Sequence, residues 1–383
     1  MAFASEARAD SLRPPPGQHW IAVASTKDKD TAMAIADYYS ECHGRVVTSK
    51  SGWLAVVLGP YAGKSIAAIQ KEHSEIIDLP KDARLSNGDS YVDTVWQSKP
   101  WAESRPLSSY STGKPAQFSS GGLTFKVEMQ GDEDNPGPTH AVAAQGSTGV
   151  FSFETPNEYS QFESNAGLVR LDPATDAPQL VFTRYTGGAH CCTETWIVSS
   201  PKDGTGWTLI DTGPLDGGGY SYEDLDGDGA LELVHPDNDF LYAFDSYAGS
   251  YAPVRVQQLR GGKLVDVSDM DAFRPVLRRD LARMEFEAKL DPGLWKSNGF
   301  LAGWLAAKMR LGQGEEAWQV VSENLESGTD FGPMICTSAK EPNDLENCPD
   351  QDQVRVPIRK ALAQFLNERD YGELPQGALA AMN

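Results

Sequence analysis

The sequence predicts a multidomain α+β protein, because three stretches of the chain follow different hydrophobic periods. Residues 19–96 alternate strand and helix patterns, residues 121–269 contain short strand patterns separated by turn signals, and residues 270–383 repeat apolar residues every three or four positions. The chain of 383 residues also exceeds the length over which one hydrophobic core keeps growing. We therefore expect an α/β module, an all-β sandwich or propeller-like domain, and a small helical domain.

Two segments are predicted to lie outside these domains. Residues 1–18 are expected to be the remnant of a trimmed signal peptide and a Pro-rich leader, since Ala7-Arg8-Ala9 has the small-x-small form of a signal-peptidase site. A chance match in an Ala-rich tail is the alternative. Residues 97–120 lose periodicity and collect Ser, Pro and Gly, which is typical of a linker. We accordingly expect an exported bacterial protein, either periplasmic or secreted.

The charge of the chain limits its partners. The formal net charge is −21, which repels the phosphates of nucleic acid and anionic membrane surfaces. No run approaches the ~18 consecutive apolar residues of a spanning helix, so membrane insertion is not expected. Cations, neutral polymers and other envelope proteins remain as partners.

The first module follows the order strand, helix, strand, strand, helix, strand. Strand patterns occur at 20–24, 45–48, 53–58 and 91–92, and helix patterns at 28–41 and 65–75. The third strand runs into a Gly59-Pro60-Tyr61 turn. This order and this turn resemble the sporulation-related repeat (SPOR) domain.

The SPOR resemblance implies a ligand. Domains of that family bind bacterial peptidoglycan across the open face of a four-stranded sheet, and they favour glycan strands stripped of stem peptides. The resemblance turns Leu54, Val56 and Leu58 toward the core and leaves Trp20 and Trp53 on the outer face, where their rings are expected to stack on sugars. The alternative is a module that only packs against its neighbours.

An acidic run in the β-rich stretch predicts a calcium site. Hard oxygen ligands at alternating positions are what Ca²⁺ requires. The expected ligands are the side chains of four acids and one backbone carbonyl: Asp224, Asp226, Asp228, Glu232 and Ala230. An EF-hand is not expected, because its bidentate glutamate is missing from the twelfth position. The run resembles the D-x-D-G-D-G loops of FG-GAP and VCBS-type β-repeats, in which the ion holds a turn between strands. A turn without an ion is the alternative, and participation of Asp237 and Asp239 stays open.

The five cysteines favour an oxidising compartment. Cys336 and Cys348 bracket a polar stretch with no apolar residues to hold it, which predicts a disulfide. Cys191 and Cys192 are neighbours, and a ring between them requires distorted geometry because adjacent α-carbons lie ~3.8 Å apart. We expect that ring or two buried thiols, with a site for a soft metal such as copper as the alternative. Cys42 is expected to be a buried thiol.

A catalytic function is the less favoured hypothesis. His190, Cys192 or His140 beside an acid would suit a cell-wall hydrolase, but the sequence has no complete triad, no H-E-x-x-H and no G-x-S-x-G. An inhibitor or adhesion module is a further alternative. We expect a non-enzymatic envelope protein that binds peptidoglycan glycan or an envelope protein and contains a structural calcium ion.

Overall fold

The computed structural model describes residues 12–99, 106–111, 113–120, 123–129, 140–146, 149–155, 164–175, 178–200, 206–339 and 345–382. These residues contain five sheets and seven α-helices and fall into two compact units. The first unit draws on Met1–Glu103, Asp239–Val254 and Arg274–Asn383, and the second on Ser104–Asn238 and Arg255–Phe273. The first unit therefore combines an N-terminal part and a C-terminal part of the chain with the short segment Asp239–Val254.

The N-terminal part of the first unit is an antiparallel sheet with helices on one face. Its elements are β1 (Gln18–Thr26), α1 (Lys29–Tyr38), β2 (Arg45–Ser49), β3 (Leu54–Ala62), α2 (Ile66–Glu72), β4 (Arg84–Ser86) and β5 (Tyr91–Gln97). The strand order is β4-β1-β3-β2-β5. Each strand and helix predicted between residues 19 and 96 is present, and the short β4 is an addition.

Alternation along the strands separates the two faces of this sheet. Ile21, Val23, Val56 and Leu58 belong to the core beneath the helices. Helix α1 begins where the Asp28 carboxylate accepts a hydrogen bond from the Thr31 N–H at 2.7 Å. The alternation thus assigns the inner face as the sequence predicts.

The C-terminal helices belong to the same unit. They are α3 (Arg274–Leu290), α4 (Asn298–Arg310), α5 (Gly314–Asn324), α6 (Ile358–Glu368) and α7 (Gln376–Met382), with a hairpin of β19 (Met334–Cys336) and β20 (Gln353–Arg355) before α6. Phe286 of α3 packs edge-on against Tyr38 and Tyr39, with ring centroids 5.5 and 5.9 Å apart. The N-terminal sheet and these helices thus share a core. No described helix is long and apolar enough to cross a membrane.

Residues 241–245, which the sequence predicts as a strand, are not a strand. A 3₁₀ turn, Asn238–Phe240, leads into irregular backbone, and Tyr242 has a φ of 61°. Phe240 and Phe244 are buried against Phe365, with ring centroids 4.8 and 5.1 Å apart. The aromatic residues that suggest a strand instead anchor this segment to the helical core.

The second unit consists mostly of strands. In chain order these are β6 (Ser108–Tyr110), β7 (Ala116–Ser120), β8 (Leu123–Met129), β9 (His140–Gly146), β10 (Gly149–Glu154), β11 (Ser164–Val169), β12 (Gln179–Tyr185), β13 (Thr193–Ser199), β14 (Thr208–Leu215), β15 (Ser221–Glu223), β16 (Glu232–Pro236), β17 (Val254–Arg260) and β18 (Lys263–Asp266). They form three sheets, in the orders β10-β9-β8-β7, β14-β13-β12-β11-β6 and β15-β16-β17-β18. The described strands form layered sheets and neither a propeller nor a closed barrel.

The five-stranded sheet is covered on both faces. Phe182 and Trp196 pack on one side with Phe125 of β8, and Val181 and Ile197 pack on the other side in a second core. Strand β12 is therefore buried almost throughout, as expected for a central strand.

The predicted linker at residues 97–120 is not free of structure. It contains β6 and β7, and Tyr110 of β6 is only 4% exposed. Serine-rich strands carry a weak propensity signal, so their pairing with β11 and β8 depends on tertiary packing.

Candidate functional site

The outer face of the N-terminal sheet carries a groove of about 950 Å³. Two aromatic side chains, Trp53 and Tyr91, contribute to its lining, together with many hydroxyl and amide groups: Ser25, Ser49, Ser51, Ser86, Ser90 and Asn87. The lining also contains His19, Asp82 and Arg84. We call this surface the outer groove.

Trp53 lies immediately before β3 and is available to a ligand. Its side chain is among the exposed large hydrophobic residues, at 42% exposure. The Lys27 ammonium lies 5.3 Å from the centroid of the indole ring, close enough for a cation–π interaction. Trp53 therefore remains a candidate for stacking on a sugar ring.

Trp20 does not offer its ring to a ligand, contrary to the prediction. It is 2% exposed, and its indole N–H donates to the Leu12 carbonyl at 2.8 Å. Leu12, Val47 and Val57 surround it in a small core on the outer face. Leu12, the first described residue, covers this part of the sheet and removes apolar surface of the outer face from water.

The acidic run connects β15 and β16 of a hairpin, as the strand–loop–strand prediction requires. Glu223 pairs with Glu232 across the hairpin. Gly227 and Gly229 have φ values of 81° and 82°, a left-handed conformation that glycine adopts readily. Asp224 then accepts hydrogen bonds from the N–H groups of both glycines, at 2.8 and 3.2 Å. The sequence therefore folds into a tight loop in which the exposed Asp224 carboxylate accepts from the loop backbone.

Three carboxylates converge in this loop. Asp224, Asp226 and Glu232 each place an oxygen within 4.8 Å of the others. Within the described residues these three acids form no ion pair with a basic side chain. We call them the acidic triad.

Glu232 is the unusual member of the acidic triad. It is fully buried, and this burial raises the pKa of its carboxyl, with the neighbouring Asp226 and Asp228 charges acting in the same direction. Its carboxylate accepts from the Leu225 N–H and from the Gln258 amide, both at 2.8 Å. A buried carboxylate among other carboxylates is unfavourable unless a cation compensates it.

Gln258 of β17 links the acidic triad to a neighbouring strand. Its amide nitrogen donates to Asp226 at 3.3 Å as well as to Glu232, and its carbonyl oxygen accepts from the Arg260 Nε at 2.9 Å. The sequence analysis does not identify Gln258, because nothing in the run itself indicates which residue of another strand lies beside it.

The other predicted ligands have different surroundings. Asp228 accepts from the N–H of the buried Ala230 at 2.7 Å and is not part of the acidic triad. Asp237 lies 2.8 Å from Arg255, and Asp239 lies 2.8 Å from Arg369. The carboxylates of Asp237 and Asp239 are thus engaged by arginines.

The His190 region contains an acid–base pair and a bonded pair of sulfurs. His190 Nδ1 lies 3.1 Å from Asp216. Cys191 and Cys192 are joined by a disulfide across a cis peptide bond, with α-carbons 3.0 Å apart. Neither sulfur is a free thiol in this arrangement. His140 begins β9, and its side chain lies outside the described residues.

The remaining cysteines have structural surroundings. Cys336 and Cys348 form a disulfide with an S–S distance of 2.01 Å, which closes the loop between β19 and β20. Cys42 is a free, buried thiol, and burial together with the nearby Glu75 and Glu41 raises its pKa to about 11. Such a thiol is a poor nucleophile at neutral pH.

Comparison with known proteins identifies relatives of the whole chain and of its C-terminal part. Residues 277–370 match a family described as the sll0997 C-terminal domain. This range contains α4, α5 and α6 and most of α3. The chain is 37% identical over 374 residues to uncharacterized protein y4bJ of Sinorhizobium fredii, which covers 96% of this chain and 58% of that protein. It is 36% identical over 207 residues to the probable thylakoid lumen protein sll0997 of Synechocystis, covering 54% of this chain and 60% of that protein.

These relatives show which proteins the chain is similar to and do not assign an activity to it. The chain aligns with about three fifths of the length of each relative. No solved structure matches the chain. Neither relative is named for peptidoglycan or calcium, so the SPOR and calcium-loop resemblances remain predictions. The chain is thus similar to bacterial proteins of which one is named for a lumenal compartment, and its residues 277–370 are similar to the sll0997 C-terminal domain.

Proposed function

We propose that this protein is an exported, non-enzymatic envelope protein that binds a peptidoglycan glycan strand in the outer groove. The observation that carries the proposal is the exposed Trp53 ring beside a row of neutral hydroxyl and amide groups. A sugar ring has apolar C–H faces that pack on an aromatic ring and hydroxyls that exchange hydrogen bonds with serine and asparagine.

The groove suits an extended ligand better than a compact one. Its volume of about 950 Å³ is at the upper end of the range of about 300–1,000 Å³ for small-molecule pockets. Asp82 and Arg84 place one acidic and one basic side chain in the lining, so neither an anion nor a cation is selected by net charge. The hydroxyl and acetamido groups of a glycan strand fit this lining, and Arg84 can pair with a muramyl carboxylate that is exposed when a stem peptide is removed.

Two observations support export. The relative from Synechocystis is named as a thylakoid lumen protein, and the lumen is reached by transport across a membrane. The Cys336–Cys348 disulfide is of a kind that persists in oxidising compartments and is rare in the bacterial cytosol. Labelling of intact cells with a membrane-impermeant reagent checks this part of the proposal.

Sedimentation with purified sacculi tests the ligand. Trp53→Ala removes the stacking surface, and Ile77→Ala is the matched control, because Ile77 is 61% exposed and lies outside the groove lining. We expect the wild type and Ile77→Ala to pellet with protein-free sacculi and Trp53→Ala to remain in the supernatant. Equal pelleting of all three, or of none, contradicts glycan binding in the groove. Pelleting only with sacculi that retain their proteins indicates an envelope protein as the partner.

We further propose that the acidic triad holds a structural Ca²⁺. The proposal rests on two observations. Glu232 is fully buried. Asp224 and Asp226 each place a carboxylate oxygen within 4.8 Å of a Glu232 oxygen. When bound, the ion supplies the positive charge that this buried carboxylate lacks among the described residues. Oxygen ligands of this kind suit Ca²⁺ better than softer metals.

A further inference from the structure

The second unit contains a cavity at the end of the core between two of its sheets. Strand β12 carries Val181 in that core, and the next two residues on the same face, Thr183 and Tyr185, line a cavity of about 250 Å³. Tyr220 and Tyr222, from the segment that leads into and through β15, close its other side. We call this space the inter-sheet cavity.

The floor of the inter-sheet cavity follows from strand pairing. Asn165 of β11 lies opposite Thr183, and Thr193 of β13 lies opposite Tyr185. Residues paired in this way share one face of a sheet. Apolar side chains of the core thus give way to amide and hydroxyl groups at this end of the sheet.

The lining is neutral and carries both aromatic and polar groups. It contains three tyrosines, two threonines, one asparagine, one leucine and the backbone of Gly217 and Gly218, and no carboxylate, ammonium or guanidinium group of the described residues. A charged ligand would lose its hydration without gaining a partner of opposite charge. A purely apolar ligand would leave the amide and hydroxyl groups without hydrogen bonds.

The wall formed by Gly217 and Gly218 is fixed by the Thr186–Thr193 stretch. Thr193 Oγ1 donates to the Gly217 carbonyl at 2.8 Å, and the Gly217 N–H donates to the His190 carbonyl at 2.7 Å. Thr186 exchanges two hydrogen bonds with Cys192, at 2.7 and 2.9 Å, so the segment that carries the disulfide is tied back to β12. The stretch that contains the Cys191–Cys192 disulfide therefore holds the Gly217–Gly218 wall in place. This stretch has no part in the proposed function.

We propose that the inter-sheet cavity binds one neutral, hydroxylated ring of monosaccharide size. Its volume lies below the usual range for drug-sized ligands, which limits the occupant to about one ring. The tyrosines receive the C–H face of the ring, and Asn165 and Thr183 exchange hydrogen bonds with its hydroxyls. This site lies in the second unit and is separate from the outer groove.

Titration of the full chain with simple sugars tests this proposal. Trp53→Ala provides the background, so that binding in the outer groove does not contribute. The probes are glucose, galactose, mannose and N-acetylglucosamine, with glucosamine and glucuronate as charged analogues of similar shape. Saturation-transfer NMR and calorimetry are expected to give saturable binding for at least one neutral sugar and none for the charged analogues.

Variants of the lining locate the binding. Asn165→Leu and Thr183→Val each remove hydrogen-bonding capacity at nearly constant volume, and each is expected to weaken binding about two- to tenfold. Thr208→Val is the matched control on β14, outside the lining, and is expected to bind as the background does. Melting curves check that each variant folds. If Asn165→Leu does not fold, the test rests on Thr183→Val. Absence of binding for all four neutral sugars, equal binding of the charged analogues, or unchanged affinity in Thr183→Val overturns the proposal.

Discussion

Replacement of Glu232 by glutamine separates the cost of a buried charge from the benefit of a bound ion. Glu232 is fully buried beside two aspartates, and burial raises the pKa of its carboxyl. In metal-free protein at neutral pH, Glu232→Gln removes an unfavourable buried charge and keeps the shape of the side chain. The amide NH2 of the new glutamine, however, must face either the Leu225 N–H or the Gln258 amide N–H, which both donate to Glu232 in the wild type. The two effects oppose each other, so we expect metal-free Glu232→Gln to unfold within a few degrees of the metal-free wild type.

Calcium is expected to separate the unfolding temperatures of the two proteins. Calcium sites of extracellular modules have Kd values on the order of 10⁻⁴–10⁻³ M. At about 10 mM Ca²⁺, mass action then stabilises the wild type by about 1.4–2.7 kcal/mol. For a domain of about 150–250 residues this amounts to a rise in Tm of about 3–10 °C. Glu232→Gln lacks the buried ligand charge and should show a shift close to zero.

Differential scanning calorimetry with EDTA and with calcium measures both effects. Glu223→Gln is the matched control, because Glu223 lies opposite Glu232 in the same hairpin but is exposed and outside the acidic triad. This control should retain the full calcium shift. A wild-type Tm that does not respond to calcium, or a Glu232→Gln protein that responds as the wild type does, refutes the calcium proposal.

Three further predictions concern other parts of the chain. Because its pKa is raised to about 11, Cys42 should react with a thiol reagent at pH 8 at least about 100-fold more slowly in the folded protein than in the unfolded chain. The folded state holds this proton more tightly than the unfolded state, so the contribution of Cys42 to stability is present below about pH 9 and is lost as the pH rises toward 11; a urea titration series at increasing pH measures that loss. The double variant Cys336→Ser with Cys348→Ser opens a loop with a sequence separation of 12 and should cost about 3 kcal/mol in denaturant unfolding, whereas an unchanged midpoint would mean that the loop is held by other contacts. Trp20→Phe removes the hydrogen bond to the Leu12 carbonyl and should lower the free energy of unfolding by about 1 kcal/mol, and a neutral result would show that the leader does not depend on that bond.

Local patterns predict the elements of this fold better than they predict what covers them. The periods of 2 and 3.6 identify strands β1, β2, β3 and β5, helices α1 and α2, and helices α3 to α6, but neither β4 nor α7. They fail at residues 241–245, because Phe240 and Phe244 are apolar for a tertiary reason, the packing on Phe365. They also place Trp20 on an outer face without revealing that Leu12 covers it.

In the acidic triad too, the local sequence predicts which residues come together in the loop but not which residue of a distant strand lies beside them. The spacing of Asp224, Asp226 and Glu232 in the sequence is enough to predict that their oxygens meet, since one short loop contains all three. The role of Gln258 depends on the pairing of distant strands, and no local signal reports it. The inter-sheet cavity likewise arises from two sheets that close on each other, so its lining residues are scattered along the chain.

The indole N–H signals of Trp53 and Trp20 in a ¹⁵N–¹H NMR titration test the central claim most directly. The titrant is soluble glycan strands released from sacculi and stripped of stem peptides, and each signal is assigned from the spectrum of the corresponding tryptophan variant. Glycan binding in the outer groove predicts a saturable shift of the exposed Trp53 signal and no shift of the Trp20 signal, whose N–H is already bonded to Leu12. A Trp53 signal that stays constant up to saturating glycan, or a Trp20 signal that moves as far, would contradict the account.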